Sequence, residues 1–293
     1  MIINYLFIIF FSFSYSQGIS DYSFNSAESS SLAGSVVSII GGGWSLFNNP
    51  ASIVEVDNNI ISIGYANLYN QTYLPMSSLG LIIANYDIKF GIKYNSFQVD
   101  YSGSELLNDT QLGIVSAVNL LKDRKSSLSM GFSANYNIIN FGPSSGVSGD
   151  GSDGLEGQEL SSLGIDLGIL ATLRNKNRLG VFIKNINSPL IGEGVSGNNL
   201  PRKIDIGLST IPSEYLVVTL SLEQLLGSKS TQFKTSIKYQ LNQSLCFNAG
   251  LQMNPNRFGV GFIFNKKIIS IAYGYLTHHV LPGTHQSNLE IRF

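Results

Sequence analysis

The C-terminal part of the chain, residues 230–293, alternates between apolar and polar side chains almost without a break. One face of this pattern carries large aliphatic and aromatic residues, and the other carries mainly Gly, Ser, Asn and Lys. A period of two is the repeat of a β-strand, because successive side chains point to opposite faces. The segment therefore predicts consecutive antiparallel strands. Its large residues are Phe233, Ile237, Tyr239, Leu241, Leu245, Phe247, Leu251, Met253, Phe258, Phe262, Phe264, Ile269, Ile271, Tyr273, Tyr275, Leu289, Ile291 and Phe293.

The composition favours a membrane environment for these strands. Only 13% of the residues are charged and 43% are hydrophobic, whereas soluble domains contain about 25% charged residues. No apolar run reaches the roughly 20 residues that a membrane helix needs. A soluble sandwich buries its large residues, whereas a membrane barrel turns them toward lipid. The net charge of -1 argues against a nucleic-acid partner, and the single Cys246 excludes an intrachain disulfide.

The same alternation predicts fourteen strands, which together form a barrel domain over residues 59–293. The predicted strands are 59–67, 77–85, 87–100, 108–121, 126–141, 161–175, 177–187, 201–211, 214–226, 230–241, 243–253, 256–265, 267–276 and 286–293. Several of them reach the nine to eleven or so residues with which a tilted strand crosses a bilayer.

The connections between these strands alternate in length. Tight links fall at 86, 122–125, 176, 212–213, 242 and 266. Between them lie mostly longer links, at 68–76, 101–107, 142–160, 188–200, 227–229, 254–255 and 277–285. Short turns on one side and long loops on the other are typical of outer-membrane barrels, whose even strand number places both ends of the chain in the periplasm. We therefore predict an all-β fold: a transmembrane antiparallel up-and-down barrel.

The region before the strands divides into two predicted parts. Residues 1–16 read as a cleaved signal peptide, with an apolar run and small residues before the cleavage point; an N-terminal strand or anchor is the alternative. Residues 17–58 form the second part, in which the period of two is lost over 26–52 and the run Gly41, Gly42, Gly43 occurs. A Gly-rich loop can bind phosphate, but the following Lys-Ser/Thr of that motif is missing. We expect a packed, irregular plug inside the barrel.

Several short motifs, taken in order, carry a family resemblance. They are Asn49-Pro50-Ala51 after the Gly-rich stretch, then 163–168, 184–189, 200–201 and 284–289. Together they resemble the FadL-like outer-membrane proteins, and within these the PorV/PorQ branch of Bacteroidota. The resemblance implies a fourteen-stranded barrel with an N-terminal segment inside it. FadL relatives pass hydrophobic molecules through the wall, whereas the PorV/PorQ branch serves type IX secretion.

Two functions follow from this resemblance. The preferred one is a secretion-associated component that binds partner or cargo proteins at the loops 142–160 and 188–200, because no apolar cluster stands out on the inner face. The alternative is a transporter of hydrophobic small molecules, which needs an apolar pocket and an opening in the wall. Outer-membrane lipid and the barrel-assembly machinery are further expected partners in either case.

Three sets of residues are candidates for functional roles. The first is the plug motif, with Gly41–Gly43 as a possible hinge; its members are Gly41, Gly42, Gly43, Asn49, Pro50 and Ala51. The second is a set of charged residues on the predicted inner face, which either neutralise one another or select what enters. They are Lys89, Lys93, Asp166, Lys184, Lys203, Asp205, Lys234, Lys238, Glu290 and Arg292. The third is a C-terminal barrel-assembly signal, formed by Leu289, Ile291 and Phe293.

No metal, cofactor or enzymatic activity is expected. The three histidines, His278, His279 and His285, lie in or near one loop, but adjacent residues on an extended chain point in opposite directions. The loop carboxylates at 150, 153, 156 and 159 lack the ligand spacing of an EF-hand. A nucleophilic Ser needs a base within hydrogen-bond reach, and no strand offers one.

Overall fold

The computed structural model describes residues 24–84, 87–101, 103–144, 146–149, 153–192, 198–226 and 230–293. The predicted signal peptide at 1–16, the start of the predicted plug at 17, the tight link at 86 and the acidic residue at 150 lie outside these ranges. The boundary at 16/17 lies outside them as well, and the proposed domain boundaries at 16/17 and 58/59 stay predictions.

Fourteen antiparallel strands form a closed barrel, as predicted. The pairing of the first strand with the last, which includes Ile60↔Arg292, closes it. The strands are β1 (Ile60–Asn67), β2 (Pro75–Ile83), β3 (Lys89–Tyr101), β4 (Ser104–Lys122), β5 (Ser127–Phe141), β6 (Gln158–Leu173), β7 (Asn177–Lys184), β10 (Lys203–Ser213), β11 (Leu216–Leu225), β12 (Thr231–Gln240), β13 (Leu245–Met253), β14 (Arg257–Lys266), β15 (Ile269–Leu276) and β16 (Thr284–Arg292). A separate short hairpin, β8 (Leu190–Ile191) and β9 (Asn198–Asn199), lies in the connection between β7 and β10.

The two faces of the wall have opposite chemistry. On β11 and β12, Leu220 and Ile237 point outward and are 47% and 48% exposed, whereas the inward Ser221 and Ser236 are 3% and 2% exposed. Large apolar side chains therefore surround the barrel while small polar ones face its interior. This arrangement suits a wall surrounded by hydrocarbon. None of the helices among the described residues is long and apolar enough to cross a membrane.

The connections differ in length at the two ends of the barrel. The turn end carries 84–88, 123–126, 174–176, 214–215, 241–244 and 267–268. The loop end carries the remaining connections, including 142–157 and 185–202. The predicted loop at 101–107 is wrong, because β3 and β4 continue as a hairpin down to the pair Tyr101↔Ser104. The residues of this hairpin are mostly polar because it lies at the loop end, beyond the lipid-facing part of the wall. Main-chain pairing there does not need alternating apolar side chains, so the pattern does not predict it.

The interior holds the N-terminal residues 24–56, called the inner segment below. It contains α1 (Ala27–Ser31), α2 (Ser45–Asn48) and a 3-10 helix (Pro50–Glu55). Ser26 caps α1 by accepting a hydrogen bond from Ser29 N at 2.9 Å, as short polar side chains commonly do at helix starts. α1 packs against β13–β16 and the 3-10 helix against β3–β6, so the segment spans the lumen. A second 3-10 helix, Leu68–Asn70, begins the connection after β1.

Candidate ligand cavity above the inner segment

Inward-facing glycines let the inner segment approach the wall backbone. A Cβ on Gly250 would overlap the main chain of Leu32, and a Cβ on Gly274 would overlap that of Ala27. The same holds at the other sites where main chain meets main chain, which are Gly131, Gly180 and Gly259. Because a side chain at these positions would displace the segment, the polar face of the alternating strands acts here as a docking surface.

Asn49-Pro50-Ala51 lies at the centre of this docking surface. Asn49 is fully buried, and its Nδ2 donates to Val37 O at 2.9 Å and to Ile169 O on β6 at 3.2 Å. Its Oδ1 accepts from Ala51 N at 3.1 Å, which caps the 3-10 helix with Pro50 in its first turn. The motif thus joins two parts of the inner segment to the wall. Its functional role stays a prediction.

The Gly41–Gly43 run contacts the opposite part of the wall. Gly41 and Gly42 both have a φ of 86°, in the region that favours glycine. Gly43 N donates to Glu290 Oε1 at 3.1 Å, and a Cβ on Gly43 would overlap Ser62 Oγ. Gly43 is therefore held against the wall in this conformation, and the hinge role of the run stays a prediction.

A cavity of about 670 Å³ lies in the barrel near its loop end, beside Phe24 at the start of the inner segment. Apolar side chains from separate elements line part of it, namely Phe24, Leu74, Met76, Phe97, Ile139, Leu200 and Leu225. Met76 and Phe97 belong to a buried apolar cluster with Ala66 and Leu68. The expectation that the inner face has no apolar cluster is therefore wrong. This cluster is assembled from β1, the following connection, β2 and β3, so no single strand displays it.

A smaller chamber of about 40 Å³ adjoins this cavity between the inner segment and the wall. We call it the floor chamber. Both spaces are lined by Asn25, Gln111, Lys184, Lys203 and Glu223, which makes them neighbours. The apolar cavity therefore ends in a small polar recess.

All ten predicted lumen charges lie at inward positions of their strands, and several form ion pairs. Lys93 Nζ lies 3.5 Å from Asp166 Oδ2, and Arg292 lies 3.7 Å from Glu290. Lys89 donates to the carbonyl of Ala84 instead.

Two carboxylates outside the predicted set pair with three more of its lysines. Glu223 Oε2 accepts from Lys234 at 2.7 Å and lies 3.2 Å from Lys203. Glu28 on the inner segment lies 2.6 Å from Lys238. Glu223 shares the inward face of β11 with Thr219 and Ser221. This alternation in the sequence predicts that Glu223 faces the lumen. Glu28 has no such pattern, because its partner comes from the opposite end of the chain.

Basic and aromatic side chains line the loop end of the cavity. Arg257 stacks on Phe24 at 5.4 Å, and His278 and His279 lie beside each other with ring centroids 4.3 Å apart. Partial burial lowers the pKa of His278, and the charge of Arg257 and the neighbouring His279 lower it further. His278 is therefore largely neutral at pH 7.

The three histidines do not converge. His285 lies on the exposed face, where its Nδ1 meets Tyr273 OH at 2.6 Å. Among the described residues, no group of three or more His, Cys, Asp or Glu is placed to hold a metal ion.

The wall beside the cavity contains a break in strand pairing. β6 and β7 pair only from Leu167↔Ile183 to Leu173↔Asn177, although β6 continues to Gln158. Above this ladder, Asn187 Nδ2 donates to Leu163 O at 2.8 Å, and Asn187 Oδ1 accepts from Ile165 N at 3.0 Å. The Asn187 side-chain amide thus replaces part of the main-chain pairing, beside one main-chain hydrogen bond that Ile186 N donates to Ile165 O at 2.8 Å. We call residues 163–166 and 185–187 the seam.

The seam lies within the height of a bilayer. The seven residue pairs of β6 and β7 lie below the seam. They rise about 18 Å from the turn end, at about 3.3 Å per residue and a tilt of about 40°. The apolar band of an outer-membrane barrel is about 25 Å tall, so the seam begins within its upper part. Lys184 and Asn185, at the lower edge of the seam, also line the cavity.

Solved structures match this closed fourteen-stranded fold over nearly the whole chain. The Ralstonia pickettii toluene transporter TbuX is 12% identical, with 94% of this chain and 100% of that chain covered at a TM-score of 0.65. The CymD monoaromatic hydrocarbon channel is 14% identical, with 93% and 97% covered at 0.62. A Pseudomonas aeruginosa FadL homologue is 10% identical, with 92% and 95% covered at 0.53.

These similarities establish the fold. The FadL-like part of the resemblance is confirmed at that level, whereas the PorV/PorQ type stays a prediction. No protein-family model matches the sequence, and no curated protein matches it significantly.

Proposed function

We propose that the protein is an integral outer-membrane channel for small hydrophobic molecules. A molecule enters the cavity from the loop end and leaves sideways through the seam into the bilayer. The observation that carries this proposal is the position of the cavity, which combines an apolar wall with direct contact to the seam. Its volume of about 670 Å³ falls in the range of small-molecule sites, about 300–1,000 Å³.

The inner segment supports a sideways path. Its main chain packs directly on wall glycines such as Gly250 and Gly274, and its core residues Leu32, Leu46 and Ile53 are fully buried. Passage along the barrel axis would require this packing to open. The seam needs less disruption, because only a few hydrogen bonds from Asn185, Ile186 and Asn187 span it.

The solved structures with this fold also favour a channel. Their names describe a toluene transporter and a monoaromatic hydrocarbon channel. For this chain we infer only the general class, a hydrophobic small molecule. The predicted signal peptide is consistent with export to the outer membrane.

A secretion-associated component of the PorV/PorQ type is the second candidate. Val147 and Leu155, in the connection between β5 and β6, are 99% and 78% exposed. Exposed apolar side chains mark a protein-interaction site where they form a contiguous patch, and a partner bound at this loop would cover both of these residues. In that case the barrel is a scaffold, its partners are secretion-system or cargo proteins, and the cavity carries no flux.

The seam can be tested by cross-linking it. In a Cys246→Ala background, Leu163→Cys and Asn187→Cys are introduced and joined with a short bis-maleimide. Uptake of a labelled monoaromatic hydrocarbon is then measured in cells whose outer-membrane fraction contains the protein. We expect uptake to fall at least about tenfold after cross-linking, because the sideways path cannot open.

The controls are the untreated double variant and each single-cysteine variant treated with the same reagent. All of them should transport at least as fast as the Cys246→Ala parent, because losing the Asn187 hydrogen bonds can only loosen the seam. Equal uptake in the cross-linked and untreated double variants would exclude the seam as the exit. If cells with the Cys246→Ala parent take up no more hydrocarbon than cells that lack the protein, the scaffold function is favoured.

A further inference from the structure

The floor chamber contains buried polar atoms that lack hydrogen-bond partners among the described residues. Asp205 is 6% exposed, and its Oδ1 accepts no hydrogen bond from any described residue. Ser29 is 1% exposed, and its Oγ is equally without a partner in the described ranges. Both residues line the chamber. Since buried polar groups in native proteins nearly always have a partner, these two indicate a site for a polar group.

The charges of the chamber define what that group can be. Four lysines and three carboxylates line it, an excess of one positive charge. Lys93 pairs with Asp166, while Lys203 and Lys234 share Glu223. Among the described residues this leaves Lys184 and Asp205 without an ion pair. A matching group must therefore donate to a carboxylate and accept from an ammonium.

A hydroxyl group meets both requirements. Its proton can be donated to Asp205 Oδ1 while its oxygen accepts from a lysine such as Lys184. A carboxylate would be repelled by Asp205, because it has no proton to donate. A protonated amine would add to the excess positive charge. A pure hydrocarbon would leave the polar atoms unpartnered. Size agrees, because about 40 Å³ holds only two or three water-sized groups at about 10–15 Å³ each.

We propose that the ligand is a neutral amphipathic alcohol or phenol. Its hydroxyl occupies the floor chamber beside Asp205, and its hydrocarbon part lies in the cavity above, against Met76 and Phe97. This inference rests on the proposed channel function and specifies the class of molecule that the channel selects.

Equilibrium binding of three labelled ligands of equal chain length tests the inference. The protein is placed in lipid nanodiscs, and binding of 1-decanol, decane and decanoate is measured after subtraction of empty nanodiscs. We expect 1-decanol to bind at least about tenfold more tightly than either other ligand, the factor for one hydrogen bond to a charged group. Asp205→Ala should reduce the affinity for 1-decanol toward that for decane, because one of the two hydrogen bonds is lost, and leave decane binding unchanged.

Asp123→Ala, at an exposed turn far from the chamber, is the matched control and should preserve the preference. Lys184→Met is a second test variant, used if Asp205→Ala loses its heat-modifiable mobility on gels, and it should also weaken 1-decanol binding. Equal binding of decane and 1-decanol to the wild type would overturn the inference and leave the channel function intact. Tightest binding of decanoate would overturn it as well. Binding of none of the three would overturn both proposals.

Discussion

Each outward side chain of the wall lies at a depth set by its position along its strand. Leu220 is the fifth residue of β11, counted from the turn end, which places it about 13 Å above that end. This is close to the middle of an apolar band about 25 Å tall. Its neighbours across the strand pairs, Leu208 and Thr235, point the same way. A charge at this position would therefore be surrounded by hydrocarbon.

We expect Leu220→Lys to destabilise the folded barrel by about 2–4 kcal/mol, the cost of a cation at the bilayer midplane. Reversible unfolding in urea with lipid vesicles measures this change. The matched control is Leu241→Lys, because Leu241 is also exposed but lies in a turn. Its cost should be below about 1 kcal/mol. Similar costs at the two sites would contradict the assignment of the outer face to lipid.

The inner segment and the wall form one packed unit through glycines. Gly250 on β13 lies against the main chain of Leu32, whereas the preceding Ala249 has its side chain on the outward face. The strand therefore offers two adjacent positions with opposite surroundings. A small substitution at Gly250 tests the packing of the inner segment, and a small substitution at Ala249 tests the lipid-facing wall.

We expect Gly250→Ala to destabilise the protein by about 1–3 kcal/mol, because an added methyl group in a tight contact forces the main chain apart. The measurement is the urea midpoint, together with protease cleavage within the inner segment. Ala249→Val adds apolar bulk toward lipid and should change neither. Unchanged stability of Gly250→Ala would mean that the inner segment moves away at little cost.

The barrel could be predicted from the sequence, whereas the site could be predicted only in part. Alternation identifies strands and faces because each strand carries its own pattern. Asp166 and Lys234 lie at inward positions of β6 and β12, while the functional role of these charges stays a prediction. Alternation cannot show that Leu74 packs with Phe97 or that both line one cavity with Phe24, because this arrangement joins distant parts of the chain. The inward glycines can be read from the sequence. Their role as contacts for the inner segment cannot, because it depends on a segment that is distant in the chain.

The molecule as a whole offers two paths to a ligand, sideways through the seam or along the axis past the inner segment. Ser35 on the inner segment and Thr219 on β11 allow the second path to be closed selectively. Their hydroxyl oxygens lie 2.7 Å apart and both side chains are buried. A disulfide at this position would hold the inner segment to the wall without touching the seam.

We expect Ser35→Cys with Thr219→Cys, in the Cys246→Ala background, to retain hydrocarbon uptake in the oxidised state within about twofold of the reduced state. The reason is that a sideways path leaves the inner segment in place. Uptake is measured before and after reduction, with gel mobility reporting the disulfide, and each single-cysteine variant serves as a control. Loss of uptake that reduction restores would show that the inner segment must move. The ligand would then pass along the axis, and the seam would be a structural irregularity of the wall.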